Sequence, residues 1–254
     1  MEVITIAQRK GGTAKTATAL NLGAGLHCQG KRILFIDLDS QANLTRNLRI
    51  DPEQVKRSAY DVLTGLTTAE QAIVKTTEGS LLPADARLAK LDNSAIGKEG
   101  IYHLRDALQA IIDRYDYVII DTPPQMGASL LSALTASDKA IITAEARQSS
   151  IDGVRELYGA IEAVRSKPNK ALQIEGILIT RSRPRTILSR DMRENMEGIA
   201  EEIGTKVFTT SIRDCTAIAE SEAMRQSIFE YAPRSNGAKD YNELITEILR
   251  EEAR

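Results

Sequence analysis

Residues 3–17 confine the fold of this chain more than any other stretch. The apolar run Val3-Ile4-Thr5-Ile6-Ala7 reads as a strand, and Arg9-Lys10-Gly11-Gly12-Thr13-Ala14-Lys15-Thr16-Ala17 follows it at once. Lys15 and Thr16 then open a helix carrying Ala19, Leu20, Leu22 and Leu26. A strand, a glycine-containing loop and a helix in this order cradle phosphates, because loop and first-turn N–H groups point inward and the helix dipole adds positive charge. In such a loop a lysine at position 15 reaches the β- and γ-phosphates and a hydroxyl at position 16 ligates Mg²⁺. The match to the GxxxxGK spacing is imperfect, since Arg9 and Ala14 stand where that pattern has glycine.

The plain alternative is a βα turn with two glycines and a snorkelling lysine. Two further segments weigh against it. Ile33-Leu34-Phe35-Ile36-Asp37-Leu38-Asp39 is a buried strand running into a polar loop, and Tyr117-Val118-Ile119-Ile120-Asp121-Thr122-Pro123-Pro124 is another apolar strand ending in an aspartate. In an open parallel sheet, ligands sit at the carboxyl ends of the strands. A lysine loop and two carboxylate clusters are thereby delivered to one edge. A lone strand-terminal aspartate is often only a turn or cap residue; three coinciding strand ends are not.

Strand-like and helical runs alternate along the 254 residues. Strands are predicted near 3–7, 33–37, 73–76, 80–83, 117–121, 139–143, 173–180 and 206–209. Helices are predicted near 16–29, 101–114, 127–136, 151–165, 188–202, 216–226 and 238–251. Ser149-Ser150-Ile151-Asp152 has the form of a helix start, and Gly30 and Gly204 sit where helices end. This alternation predicts an α/β fold, a mostly parallel central sheet with helices on both faces, in a single domain over 1–254. Residues 84–100 read as its loosest part. The first strand begins at Val3, so no helix-turn-helix domain is expected ahead of it.

Hydrophobic residues make up 42% of the chain with no Trp, so the core must be aliphatic. No apolar stretch approaches the roughly 20 residues a membrane helix needs, and no signal peptide is recognisable. Cys28 and Cys215 form no CxxC, and buried reduced thiols in a cytoplasmic protein are expected; His27 and His103 lack metal-ligand spacing. In the last helix Leu244, Ile245, Ile248 and Leu249 form a stripe, but nearby acids outnumber Arg250 and Arg254, which argues against an anionic membrane surface.

Taken together, these segments resemble the ParA/MinD group of deviant Walker-A P-loop ATPases, and within it the ParA (Soj-like) partition ATPases. Lys10-Gly11-Gly12-x-x-Lys15-Thr16 resembles the family's KGGxGKT loop, Asp37-x-Asp39-x-Gln41-x-Asn43-x-Thr45 its DxDPQGNxT segment, and Asp121-Thr122-Pro123-Pro124 its DTPP switch. Glu222-Ala223 and Tyr231-x-x-Arg234-Ser235-x-Gly237-Ala238-x-x-Tyr241 resemble later signatures. Departures are Ala14 and Ala42 for glycine, Ser40 for proline, Ala17 for a hydroxyl residue, and Ile212-Arg213 where Pro-Arg is usual. Ala14 carries mechanistic weight: its methyl is tolerable at negative φ and costly at positive φ. It bears on hydrolysis more than on nucleotide binding.

The resemblance implies an ATPase of weak intrinsic activity with ATP/ADP and Mg²⁺ as cofactors. Lys10, Gly11, Gly12, Thr13, Ala14, Lys15, Thr16 and Ala17 would hold the phosphates, and Thr180, Arg181 and Arg213 are the candidates on the nucleobase side. Arg213 is open between the base pocket and a DNA surface. Thr16, Asp39 and Asp121 would serve the metal, Asp121 through water, with Asp39 orienting the attacking water. Asp37 either supports the metal shell or holds the loop. Lys10, Lys15 and Asp39 are the catalytic candidates, and Lys10 would cross a two-fold interface to the partner subunit's nucleotide. The implied partners are a second copy in an ATP-dependent homodimer, non-specific double-stranded DNA and a ParB-like adaptor, with a cytoplasmic, nucleoid-associated location and no membrane.

Residues 181–193 hold arginines at 181, 183, 185, 190 and 193 against the single acid Asp191, in a chain of net charge −2. Such a run is often a solvated helix face. The resemblance favours DNA contacts by Arg183, Arg185, Arg190 and Arg193. Competing readings are a positioner of a protein cargo, a nearly hydrolysis-silent binding switch, and an amide-forming P-loop ligase. An electron carrier like the nitrogenase iron protein is disfavoured, because the paired interface cysteines are missing.

Overall fold

The computed structural model describes residues 1–92, 100–145, 147–183 and 187–252. Seven strands, β1 (Glu2–Ala7), β2 (Ile33–Asp37), β3 (Val74–Thr76), β4 (Gly79–Leu82), β5 (Tyr117–Asp121), β6 (Lys139–Glu145) and β7 (Gln173–Thr180), make one sheet in the order β3-β4-β2-β5-β1-β6-β7. All neighbours pair in parallel except the β3–β4 hairpin. The helices are α1 (Lys15–Cys28), α2 (Asn43–Asn47), α3 (Ala59–Leu63), α4 (Ala69–Ala72), α5 (Leu88–Asp92) and α6 (His103–Gln109). They continue as α7 (Ala128–Ala136), α8 (Gln148–Ser166), α9 (Ile187–Glu202), α10 (Thr216–Ala223), α11 (Ile228–Tyr231) and α12 (Asn236–Glu252).

Successive strand residues point to opposite faces, and both faces are covered. Ile4, Ile6, Ile33, Phe35, Tyr117 and Ile119 pack with Leu20 and Leu22 of α1 and with Tyr241, Leu244 and Ile245 of α12. Their neighbours Val3, Leu34, Ile36, Val118 and Ile120 pack instead on α3, α5, α6 and α7. A third cluster sets α8 and α9 against β6 and β7. The absence of Trp is met by close helix approach: a Cβ on Gly23 of α1 would run into the Phe35 ring, so only glycine lets α1 lie this near β2. The sheet is thus mostly parallel with helices on both faces, as its strand–helix alternation predicts.

Several local expectations change. Residues 206–209 are not a strand: Val207 makes one isolated bridge to Ile177, and beyond it the N–H groups of Thr209 and Thr210 turn to the Glu247 carboxylate of α12. The helix expected at 101–114 is a 3₁₀ turn, α6 and a second 3₁₀ turn. α8 starts at Gln148, with Arg147 rather than Ser149 in the cap position. α10 stops at Ala223. The two thiols are not buried: Cys28, at the end of α1, is exposed and Cys215 is half-buried. The short helices α2 to α5 and α11 were not expected. Part of the loosely read 84–100 stretch is α5, and 93–99 lie outside the described residues. Gly30 and Gly204 do end α1 and α9 at positive φ. Among the described residues no helix is long and apolar enough to cross a membrane.

Candidate functional site

β1 and β5 are direct neighbours, with Ile6 opposite Asp121, and β2 lies on the other side of β5, with Asp37 opposite Asp121. The 8–17 loop, the Asp39 loop and the Asp121 loop therefore leave the sheet side by side. Between them lies a cleft of about 410 Å³ lined by Gly11, Gly12, Ala14, Lys15, Thr16, Ala17, Asp39, Asn43, Asn47, Pro124, Arg181 and Glu222.

The loop is held from beneath. The Gln8 side-chain amide donates to the Thr143 carbonyl at 2.8 Å and receives the Arg9 N–H. Thr143 donates to the Thr13 hydroxyl at 3.2 Å, and Thr180 donates to the Thr13 carbonyl at 3.2 Å. Thr13 and Thr180 are both buried, so they anchor the loop and do not line the cleft. Arg9 pairs with Glu156 of α8. The Lys10 carbonyl accepts from the Thr13 hydroxyl and from Lys15 Nζ, the latter at 3.4 Å, and Lys10 is not among the cleft-lining residues.

Gly12 has φ +81°, and Ala14, which precedes α1, has φ +59°. Ala14 thus adopts the left-handed conformation in which a methyl group is costly. Ala42, at the N-terminus of α2, has φ +52°. Both alanines that replace family glycines therefore sit where glycine is the unstrained residue, at an expense of about 1–2 kcal/mol each.

Thr16 Oγ1 donates to Asp121 Oδ2 at 2.7 Å, while Asp121 Oδ1 is buried without a hydrogen-bond partner. Burial first, and then the facing Asp37 carboxylate, push Asp121 well above the usual carboxylate range. Asp37 is raised less, because it receives Thr45 N, Thr45 Oγ1 and Asp39 N. Through these bonds Asp37 holds the 39–45 loop and the start of α2. Burial lowers the Lys15 pKa, against the opposing fields of Asp121 and Asp39. A buried ammonium at Lys15 and, behind Thr16 of the same cleft, a buried carboxylate oxygen without a partner suit an anion with its own hydrated cation. Among the described residues no cluster of three His, Cys, Asp or Glu makes a metal cage, so any cation would take most ligands from the anion and water.

Arg181 lines the cleft mouth with φ +49° and pairs with Glu145 at 3.2 Å. Arg213 is placed elsewhere: its guanidinium and backbone N–H bind the buried Asp240 of α12 at about 3.0 Å, so it is spent on fixing that helix. Of the arginine run, Arg183 is exposed and pairs with Asp214, and Arg190 is exposed. Arg193 donates to the Phe208 and Thr209 carbonyls at 3.3 Å, holding the segment that fails to become a strand. Arg185 lies outside the described residues.

A sequence profile of the AAA domain family matches residues 1–174. The sporulation initiation inhibitor protein Soj of Bacillus subtilis is 34% identical over 252 residues, covering 97% of this chain and 98% of its own. The chromosome partitioning protein ParA of Caulobacter vibrioides is 33% identical, covering 99% and 95%. This chain belongs to the ParA/Soj family of ATPases. In this family member the fold also resembles a Mycobacterium smegmatis cobyrinic acid a,c-diamide synthase solved with ADP and magnesium. That structure has a TM-score of 0.86 and 32% identity, covering 100% of this chain and 96% of its own. The ParA/Soj signatures account for cleft residues that were not singled out as site candidates: Asn43 lies in the DxD segment, Pro124 in DTPP and Glu222 in the later EA pair. Asn47 lies one helical turn beyond Asn43 and carries no signal of its own.

Proposed function

We propose that this ParA/Soj family member is a DNA-partition ATPase acting through one domain. It binds Mg-ATP in the cleft, closes as an ATP-dependent homodimer, and then binds duplex DNA without sequence preference. A ParB-like adaptor stimulates hydrolysis and release at the nucleoid. The observation that carries the nucleotide reading is the Thr16–Asp121 hydrogen bond beside the buried Lys15. Thr16, with Asp121 acting through water, would hold Mg²⁺, which neutralises β/γ-phosphate charge when bound. Lys15, beside Thr16 at the start of α1, neutralises the same oxygens, and Asp39 of the cleft lining orients the water. Lys10, outside the cleft of its own chain, is the residue assigned to the partner subunit's phosphates.

Calorimetry of Mg-ADP binding to Lys15→Ala tests the cleft, and unchanged affinity rejects it. Light scattering with ATP and with ADP tests the dimer, and Lys10→Ala should bind nucleotide yet remain monomeric. The resemblance to the diamide synthase favours an amide-forming ligase as the second reading. ATP consumption that needs a carboxylate acceptor and ammonia, and ignores DNA, would select it.

A further inference from the structure

Asp92 closes α5, far in sequence from every motif described above, yet its carboxylate reaches the loop that leaves β5. Its Oδ1 accepts the Ser129 N–H in the first turn of α7 at 2.9 Å. Gly127, immediately before α7, lies so close that a Cβ there would run into the Asp92 carboxylate and its Cβ. Gly127 is extended, at φ −113° and ψ −172°, so its lack of a side chain serves this close approach and not an unusual backbone. The segment pinned at this end begins at Asp121, which holds Thr16, and passes through Pro124 on the cleft wall. At its other end Thr122 Oγ1 donates to the Ile6 carbonyl at 2.8 Å. The 121–127 loop is therefore tied to β1 at one end and to α5 at the other, with cleft residues between the ties.

We propose that Asp92 is a positioning residue for the ATPase reaction, setting the 121–127 loop by receiving the Ser129 amide and packing on Gly127. The assignment rests on the nucleotide reading above only for its kinetic consequence. Asp92 is partly buried, and that burial raises its pKa, with the Asp39 carboxylate adding to it. Asp92 touches no cleft surface, and its effect on turnover passes entirely through the loop.

Asp92→Ala removes the acceptor. Asp92→Asn keeps an oxygen for the Ser129 N–H, and Gly127→Ala displaces the carboxylate from the other side. Asp92→Ala and Gly127→Ala should lower kcat about tenfold or more, as small displacements of a reacting site do, with KM and Mg-ADP affinity within about twofold. Asp92→Asn should recover most of kcat. Hydrogen exchange at the amides of Thr122 and residues 125–129 should accelerate in Asp92→Ala and Gly127→Ala and stay near wild type in Asp92→Asn, with or without nucleotide. Wild-type kcat in Asp92→Ala, equal loss in Asn and Ala, or unchanged exchange in Asp92→Ala would each overturn the assignment. A wild-type protein that neither binds nor turns over nucleotide would instead count against the ATPase reading, and the exchange arm would still decide the role of Asp92 in the loop.

Discussion

Thr16 and Asp121, 105 residues apart, meet at 2.7 Å where α1 begins and β5 ends, and this bond leaves the second carboxylate oxygen buried and unpaired. An unsatisfied buried carboxylate oxygen costs free energy that a hydrated cation can offset. Thr16→Ala should therefore bind ADP in EDTA nearly as wild type does, yet lose about tenfold or more of the affinity gained on adding Mg²⁺. Paired calorimetric titrations check this. An undiminished Mg²⁺ gain would remove the metal from this corner of the cleft.

Ala14 and Ala42 offer a stability test that needs no nucleotide. Releasing a left-handed alanine recovers about 1–2 kcal/mol, against a loss of about 0.5–1 kcal/mol from glycine's greater unfolded freedom. Ala14→Gly and Ala42→Gly should each raise the urea midpoint slightly, while Ala24→Gly within α1 should lower it. Ala14→Gly should also speed ATP turnover with little change in ADP affinity. Equal midpoints and rates would show that the loop has adapted to alanine.

The Asp61–Arg87–Asp85 cluster sets an acid limit. Arg87 donates to both carboxylates, at 2.6 and 2.7 Å, and stacks on Tyr60. Burial opposes ionisation of each acid, but the Arg87 hydrogen bonds outweigh it and hold both below the usual range. Folded-state pKa values below the unfolded ones of about 3.9 give stability present above that range and lost as pH falls through the depressed values. Arg87 is 40% exposed, so solvent screens part of the effect. Arg87→Met should lower Tm at pH 7 and narrow the Tm gap between pH 7 and pH 3. A parallel drop at both pH values would assign the loss to packing alone.

The readable part of this chain was the part where local pattern and chemistry coincide. Val3–Thr16 announces a strand, a turn and a helix in consecutive residues, and each β-strand of the sheet core is an apolar run long enough to show its type. Helices of four or five residues such as α2 and α4 contain barely one turn, so no period of 3.6 can emerge from them. The 206–209 run has strand composition, but its last backbone donor, at Thr209, and the next one, at Thr210, are taken by Glu247, 38 and 37 residues away. Arg193 reads in sequence as a helix-face or DNA-contacting cation and Arg213 as a ligand-side one, because the carbonyls and the carboxylate that hold them lie in other segments. The handedness of Ala14 was likewise undecidable from its identity, since φ is set by the loop around it.

That difference among the arginines sharpens the DNA prediction. Arg190 is exposed, whereas Arg193 is committed to the Phe208 and Thr209 carbonyls. Arg190→Ala should leave stability and ATP-dependent dimerisation unchanged, and make the plot of log DNA affinity against log salt shallower by about 0.9 for each phosphate that the guanidinium had neutralised. Arg193→Ala should lower stability by about 1–2 kcal/mol, because it removes the donor from two backbone carbonyls, and should change the salt slope little. Urea unfolding and fluorescence anisotropy with two unrelated duplexes separate the two variants. If Arg190→Ala binds both duplexes with the wild-type affinity and slope, the DNA surface lies away from this helix, and exposed Arg183 beside Asp214 becomes the residue to replace next.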